Sequence, residues 1–196
     1  MIKHTTANLL LTVLVIGFLI LGSQYAILTP AWQSPDEPAH YNYVAQVVAN
    51  GCCPLIMPGD WDSAALERLK AEQFPDNADL SAIQYEDHQP PLFYLLAAPV
   101  FRAAGGSLIA LRLFSLLLAA GEVIVIYLIA LDLLPDYPAL ALAAAGSVAF
   151  IPQFLSIAAS ANNDSLALLL ISLITLVAIA YVGNPIRLDL RGRIAA

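Results

Sequence analysis

Long apolar runs dominate the chain and recur in a pattern typical of membrane proteins. Four such runs cover residues 8–28, 107–131, 139–160 and 164–182. Each holds about 20 residues with few or no charges, and about 20 residues of α-helix cross the roughly 30 Å hydrocarbon core of a bilayer. The pattern predicts an all-α, polytopic transmembrane helical bundle that forms a single membrane domain.

The polar segment between the first two runs, residues 29–106, is predicted to form a long first loop outside the bilayer. Pro38 fits the first turn of a helix that ends at Asn50-Gly51, and Ser63 fits an N-cap. The apolar run 91–101 is only eleven residues long, too short to cross, so we expect it to lie in the membrane interface. The predicted short helices of this loop cover residues 38–49, 63–73 and 91–103.

Charge is concentrated in this outer segment. The chain has 15 acidic and eight basic residues, and residues 29–106 hold ten of the acids but only three of the bases. A segment this negative belongs in water and repels phosphates, which argues against nucleic acid as a partner. Lys3 precedes the first span, and Arg187, Arg191 and Arg193 follow the last. The positive-inside rule therefore predicts that both termini lie in the cytoplasm, and we expect a multi-pass protein of the plasma membrane.

The strongest candidate for chemistry is the acidic pair Asp36 and Glu37, just after the first span. A carboxylate at the water-exposed mouth of a helical bundle can accept a proton from an attacking hydroxyl, while the second acid and His40 hold it or bind a substrate hydroxyl. A structural interpretation stays open beside this one. Ser34 and Glu37 have the spacing of a capping box, and acids stabilise the positive N-terminus of a helix.

Two further polar groups are expected on the same face of the membrane. His88 and Gln89 precede a double proline that restricts the backbone, which either holds them at the membrane surface or merely stiffens the end of a loop. Asn163 and Asp164 open the last span, either as N-cap residues or as a second contact to the substrate of Asp36.

Metal and thiol chemistry have weaker support in the sequence. The outer segment contains five side chains of types that bind divalent cations: Asp36, Glu37, His40, Glu86 and His88. No spacing specifies a site, so no cofactor is assigned and a divalent cation stays open. The only cysteines, Cys52 and Cys53, are neighbours without metal-ligand spacing and are interpreted as two free thiols.

Three further charged residues, Arg102, Arg112 and Glu122, lie within or just before the second predicted span. Glu122 falls inside the second span, where an ionisable group is costly. It is interpreted as a structural residue hydrogen-bonded to a neighbouring helix. Arg102 and Arg112 flank the start of that span, where each either meets a lipid phosphate or extends its charged end towards water.

Taken in order, the motifs of the chain resemble the GT-C superfamily of membrane glycosyltransferases. These motifs are Pro35-Asp36-Glu37 after the first span, Gln89-Pro90-Pro91-Leu92-Phe93-Tyr94 at the end of the outer segment, Leu111-Arg112-Leu113-Phe114-Ser115, and Asn163-Asp164 at a later span. The similarity is greatest to the protein O-mannosyltransferase and lipid A aminoarabinose transferase branch, and to related bacterial enzymes that extend polysaccharide of the cell envelope. It covers most of the chain up to Leu170.

The resemblance implies a reaction and a set of partners. A sugar would pass from a polyprenyl-phosphate donor to a hydroxyl of a glycan, lipid or protein acceptor on the extracytoplasmic face, with inversion at the anomeric carbon. By match to the family motifs, Asp36 would be the general base, Glu37 would assist it, and Asp164 would orient donor or acceptor. The other residues expected to contact substrate are His40, Tyr41, His88, Gln89, Arg112 and Asn163.

Two departures from the family pattern leave room for other functions. Members often carry His or Lys before the double proline, where this chain has Gln89, and they have many more than four spans. We therefore expect an N-terminal fragment, inactive by itself, with apolar faces left towards lipid. The alternative from another class is a non-catalytic membrane protein whose acidic outer segment binds a partner or an envelope glycan. A transporter fragment fits less well, because polar residues are sparse at the midplane.

Overall fold

The computed structural model describes residues 3–75 and 78–183, and all regular structure in these residues is α-helical. The helices in chain order are α1 His4–Leu28, α2 Glu37–Asn50, α3 Ser63–Ala71, α4 Leu92–Ala103, α5 Leu108–Leu133, α6 Pro138–Ala149, α7 Pro152–Ala158 and α8 Asp164–Gly183. The all-α prediction is thereby confirmed. The C-terminal arginines on which the predicted orientation depends lie outside the described residues.

Three helices are long and apolar enough to cross a membrane. They are α1, α5 and α8, with spanning stretches of 25, 26 and 19 residues. Helix α5 is the centre of the bundle, because α1, α6 and α8 all pack against it. The contact between α1 and α5 is close: a side chain at Gly22 would collide with Leu116. These helices make the chain a multi-pass membrane protein.

The predicted third span, residues 139–160, is not one straight helix. It is divided into α6 and α7, which are bent by 67° relative to each other. Pro152 lacks the backbone N–H that would continue α6, and a proline disfavours helical backbone in the residue before it. Ile151 accordingly has extended backbone, with φ −68° and ψ 120°. After the break, α7 packs against α1, α5 and α8.

The outer segment contains the helices α2, α3 and α4. The N-cap of α3 is Asp62, whose side chain accepts the N–H of Ala65, and not Ser63 as predicted. Helix α2 packs against α4 through stacked rings of Tyr43 and Tyr94, whose centroids are 3.6 Å apart. Helix α4 has 12 residues, about 18 Å of helix, and exposes Leu92, Leu95 and Leu96 on one side. The segment leaves the end of α1 and returns at the start of α5, so both of its ends lie at the same end of the bundle.

Several local expectations were wrong. Cys52 and Cys53 are joined in a disulfide, where two free thiols were predicted. Ser34 and Glu37 do not form a capping box: Asp36 occupies the N-cap of α2 and makes no side-chain capping bond. Glu122 is buried on α5 as expected, but within the described part of the chain its Oε2 has no hydrogen-bond partner, whereas a bond to a neighbouring helix was predicted.

Candidate functional site

A buried ion pair between Glu37 and Arg112 organises the end of the bundle below the outer segment. The guanidinium of Arg112 donates from Nε to Oε1 of Glu37 at 2.8 Å and from Nη2 to Oε2 at 2.6 Å. The side chains are 0% and 2% exposed. Two parallel charge-assisted bonds fix both side chains in one plane. Arg112 therefore neither extends towards water nor faces a lipid phosphate, contrary to both alternatives given for it.

The same arginine closes the end of α1. Its Nη1 donates to the carbonyl oxygens of Ala26 at 2.9 Å and Thr29 at 2.7 Å, and its Nη2 donates to that of Pro30 at 3.0 Å. The last carbonyls of a helix have no partner within the helix, and a cation there also offsets the negative end of the helix dipole. Arg112 thus compensates several polar groups at once.

Glu37 accepts further hydrogen bonds from two backbone N–H groups, one nearby in the chain and one distant. The N–H of Ala161 donates to Oε1 and the N–H of Trp32 donates to Oε2, each at 3.1 Å. Each oxygen of Glu37 therefore already accepts two hydrogen bonds. This occupancy leaves no free position for a substrate hydroxyl, so the geometry favours an anchoring role for Glu37 over the assisting chemical role that was expected.

Asp36, the neighbour of Glu37, is in the opposite situation. Its side chain is exposed, and its backbone adopts the left-handed conformation with φ +58°. Aspartate is among the few non-glycine residues that tolerate this conformation. The hydroxyl of Tyr85 donates to Oδ1 of Asp36 at 2.7 Å. Burial, followed by this hydrogen bond, raises the pKa of Tyr85, so the phenol remains a donor at neutral pH.

The carboxylate of Asp36 borders a cavity of about 470 Å³. The cavity lies between the turn before α2 and the region from α3 to Tyr85, and its lining includes Trp32, Lys70 and Phe74. Sequence reasoning did not select Lys70 or Tyr85. Lys70 carried one usable signal, since it is one of only three basic residues in the acidic segment. A base, a cation and aromatic rings around one opening are features of a binding site.

His40 and Tyr41 do not line this cavity and instead support the scaffold. His40 is buried, and its Nδ1 lies 2.8 Å from the hydroxyl of Tyr94. Burial lowers the pKa of His40 to about 4, opposed by the negative charge of Asp36, so the ring is neutral at neutral pH. The hydroxyl of Tyr41 donates to the carbonyl of Gly106 at 2.8 Å. This bond ties α2 to the turn that precedes α5.

His88 and Gln89 do not line the cavity but are hydrogen-bonded to groups near it and at the start of α8. Nδ1 of His88 is 2.8 Å from the carbonyl oxygen of Tyr85. Since a carbonyl only accepts, this nitrogen carries the proton, and the exposed ring can offer Nε2 as an acceptor when neutral. Gln89 donates to Oε2 of Glu86 at 2.8 Å and accepts from Nδ2 of Asn163 at 3.2 Å. The double-proline segment and the start of α8 are therefore in direct contact.

The start of α8 has features of an N-cap and also of a contact site for a ligand. Asn162 is buried, and its Oδ1 accepts the N–H of Asp164 at 2.9 Å, so the amide serves as a cap. The carboxylate of Asp164 is exposed in the first turn of α8. Among the described residues no hydrogen bond joins it to Asp36. Asp164 thus remains available to a ligand at this end of the bundle.

The candidate metal donors do not assemble. In residues 3–75 and 78–183 no three His, Cys, Asp or Glu side chains come together in a group that could hold a metal ion. The partners already described explain why: Glu37 is paired with Arg112, and His40 with Tyr94. Glu86 accepts from Gln89.

Comparison with known proteins gives one match. A family model described as dolichyl-phosphate-mannose-protein mannosyltransferase matches residues 88–185, which is half of the chain. The matched region begins at His88 and includes α4, Arg112 and the start of α8. No curated protein and no solved structure matches the chain.

Proposed function

Since the chain belongs to the dolichyl-phosphate-mannose-protein mannosyltransferase family of GT-C membrane glycosyltransferases, we propose that it transfers a sugar from a polyprenyl-phosphate donor to an acceptor hydroxyl. The transfer takes place at the end of the bundle that carries residues 29–106. In the cell this end is the extracytoplasmic face of the plasma membrane, with both termini in the cytoplasm. The donor enters from the bilayer, since its polyprenyl chain is apolar.

The position of Asp36 is the observation that carries this proposal. Of the two adjacent acids, it alone is exposed, and it borders the cavity. A carboxylate there can take the proton of the acceptor hydroxyl as that oxygen attacks the anomeric carbon. The phosphate leaves with the electron pair of its bond to the sugar and needs little protonation. One base is therefore enough, and a single displacement inverts the anomeric carbon.

The remaining polar residues have supporting roles in this proposal. Glu37 and Arg112 fix the backbone next to Asp36 and thereby the position of its carboxylate. Tyr85 holds one oxygen of the Asp36 carboxylate, which leaves the other free for the acceptor. At the same end of the bundle, the amides of Gln89 and Asn163 donate hydrogen bonds to the donor phosphate, and Nε2 of His88 and the carboxylate of Asp164 accept hydrogen bonds from sugar hydroxyls.

The test replaces the proposed base by its uncharged isostere. Membranes that contain the protein are supplied with a radiolabelled polyprenyl-phosphate sugar, and transfer to endogenous acceptors is measured. Asp36→Asn is expected to lower the rate by about 10²- to 10⁴-fold, the usual contribution of a general base. Asp136→Asn is the matched control, since Asp136 is an exposed aspartate beyond the opposite end of α5.

The outcomes separate the two classes of function. Unchanged transfer by Asp36→Asn would rule out the proposed base. If neither the wild-type protein nor its variants transfer sugar, while the outer segment still retains a glycan, the protein is a binding protein. A product that keeps the anomeric configuration of the donor would contradict the single displacement.

A further inference from the structure

The cavity beside Asp36 lies outside the membrane-spanning helices. The residues that line it come from two parts of the outer segment, 32–38 and 66–85. A ligand can therefore occupy it directly from water, without an attached lipid chain. The polyprenyl donor is confined to the bilayer and has to approach Asp36 from the membrane side. The cavity consequently suits the acceptor better than the donor.

The walls of this cavity combine flat aromatic and hydrogen-bonding groups. Trp32, Phe74 and Tyr85 supply rings, and Gln33 and Gln73 supply amides. A pyranose has the matching chemistry, with apolar C–H faces that lie against aromatic rings and hydroxyls around its edge. The volume of about 470 Å³ falls within the roughly 300–1,000 Å³ typical of small-molecule sites. Both properties favour a sugar unit over an extended lipid or a peptide backbone.

The electrostatics of the outer segment restrict the sugar further. Residues 29–106 contain ten acids and three bases, which disfavours carboxylated or phosphorylated glycans. Lys70 is the cation at the cavity, and its ammonium group already donates to Glu67 at 3.1 Å. Its charge is therefore partly compensated, while its remaining N–H groups can donate to hydroxyls. An uncharged glycan fits this balance.

We propose that the cavity is the acceptor subsite and binds an uncharged hexose unit of a glycan, with Lys70 and Gln73 on the hydroxyls and the aromatic rings against the sugar face. The role as acceptor rests on the proposed function; the binding itself does not. In the transfer, the acceptor oxygen forms the new bond to the anomeric carbon and its proton passes to Asp36. The bond between that carbon and the donor phosphate oxygen breaks.

Binding can be measured without catalysis. The purified full chain in nanodiscs is titrated with mannotriose by saturation-transfer NMR, with trigalacturonate as the charged probe of equal length and a neutral serine-rich peptide as the protein-like probe. We expect mannotriose to bind at least about tenfold more tightly than either of the others. Lys70→Gln and Gln73→Ala should each weaken mannotriose binding about tenfold, the value of one hydrogen bond to a charged or polar group.

Arg68→Gln is the matched control, because Arg68 is an exposed base on the same helix that does not line the cavity. It should bind mannotriose as the wild type does, and unchanged elution from a size-exclusion column shows that each variant is folded. Equal affinity for trigalacturonate or the peptide, or full affinity in both Lys70→Gln and Gln73→Ala, would overturn the proposal.

Asp36→Asn distinguishes this inference from the proposed function. It should retain mannotriose binding and lose sugar transfer. Transfer that survives in Asp36→Asn while mannotriose still binds would refute the base and leave the subsite standing. Transfer that depends on Asp36 in a protein to which mannotriose does not bind would refute the subsite and leave the base standing.

Discussion

Two adjacent acids, Asp36 and Glu37, lie in regions with opposite physical properties. Glu37 belongs to a sealed junction, where Arg112 and two backbone N–H groups occupy both of its oxygens. Asp36 belongs to an open cavity and has Tyr85 as its only side-chain partner among the described residues. The backbone is left-handed at Asp36 and helical at Glu37, and this change of conformation places the two side chains in different environments.

The difference shows that two adjacent acids can have separate roles, one in the scaffold and one accessible to a ligand. Burial of a carboxylate is costly unless a cation and hydrogen bonds compensate its charge. Once these partners occupy both oxygens, the carboxylate cannot bind a substrate or accept its proton. The exposed neighbour gains a fixed position from that anchor while it keeps an accessible oxygen. The following predictions test this division, from the largest expected effect to the smallest.

The largest effect is expected from Arg112→Met, which removes the cation of the sealed junction. Glu37 would be left buried without a partner, and the carbonyls of Ala26, Thr29 and Pro30 would lose their donors. Loss of one member of a buried pair costs about 3–5 kcal/mol. The free energy of unfolding, measured by denaturant titration in detergent, should fall by this amount.

Glu37→Leu combined with Arg112→Met is the informative control. It leaves no unpaired buried charge, so it should recover part of the lost stability. A single Arg112→Met variant as stable as the wild type would show that the pair contributes little to the fold.

Acid pH should weaken the scaffold on the sealed side through His40. Its pKa in the folded protein is about 4, below the ordinary 6.5, so the unfolded chain binds the proton first as pH falls. The stability contribution is complete above pH 6.5 and is lost between about 6.5 and 4, by up to about 3 kcal/mol. His40→Gln should flatten the unfolding free energy across this range. If the unfolding free energy of His40→Gln depends on pH as steeply as that of the wild type, groups other than His40 cause the dependence.

On the open side, Tyr85→Phe should reduce activity without unfolding the protein. The phenol donates to Asp36 at 2.7 Å, and its loss frees the carboxylate to turn away from the acceptor. We expect kcat to fall about tenfold, in keeping with one hydrogen bond to a charged group, and KM to change little. Tyr137→Phe, at an exposed tyrosine before α6, should leave both constants unchanged. An effect confined to KM would instead make Tyr85 a binding residue.

The smallest effect is expected where α8 meets the double-proline segment. Asn163→Ala removes the hydrogen bond to Gln89, which is partly buried. Such a bond contributes about 0.5–1.5 kcal/mol, and the melting temperature should fall by a few degrees. Asn42→Ala is a useful comparison, since its amide donates to two carbonyls within the outer segment instead. If Asn163→Ala and Asn42→Ala lose the same amount of transfer activity, the contact between the double-proline segment and α8 has no special role.

The sequence predicted much of the architecture because its signals are local. Apolar length predicted the long helices, and Pro38 with Asn50-Gly51 predicted α2 almost to its ends. The break between α6 and α7 was missed, although Pro152 was present as a signal, because hydropathy alone does not register a lost backbone donor. The capping box that the spacing of Ser34 and Glu37 suggested does not form, because Glu37 is bonded to Arg112 and to two backbone N–H groups instead.

The site was predicted less completely. The acidic pair, Gln89 and Asn163 were all selected, and the structure brings Gln89 and Asn163 into contact. Lys70 and Tyr85 were not selected because no sequence motif links either residue to Asp36, although Lys70 is one of only three basic residues in the acidic segment. Their proximity to Asp36 arises only because α3 and Tyr85 pack beside the turn before α2.

The sequence by itself determined that the chain is helical, crosses a membrane several times and carries an acidic segment between its first two spans, because these properties follow from the apolarity and charge of neighbouring residues. Only the tertiary structure decided which acid is free. Glu37 is neutralised by Arg112, 75 residues away, and held by the backbone of Ala161, 124 residues away. Burial and charge compensation depend on such distant partners, and no local pattern contains them.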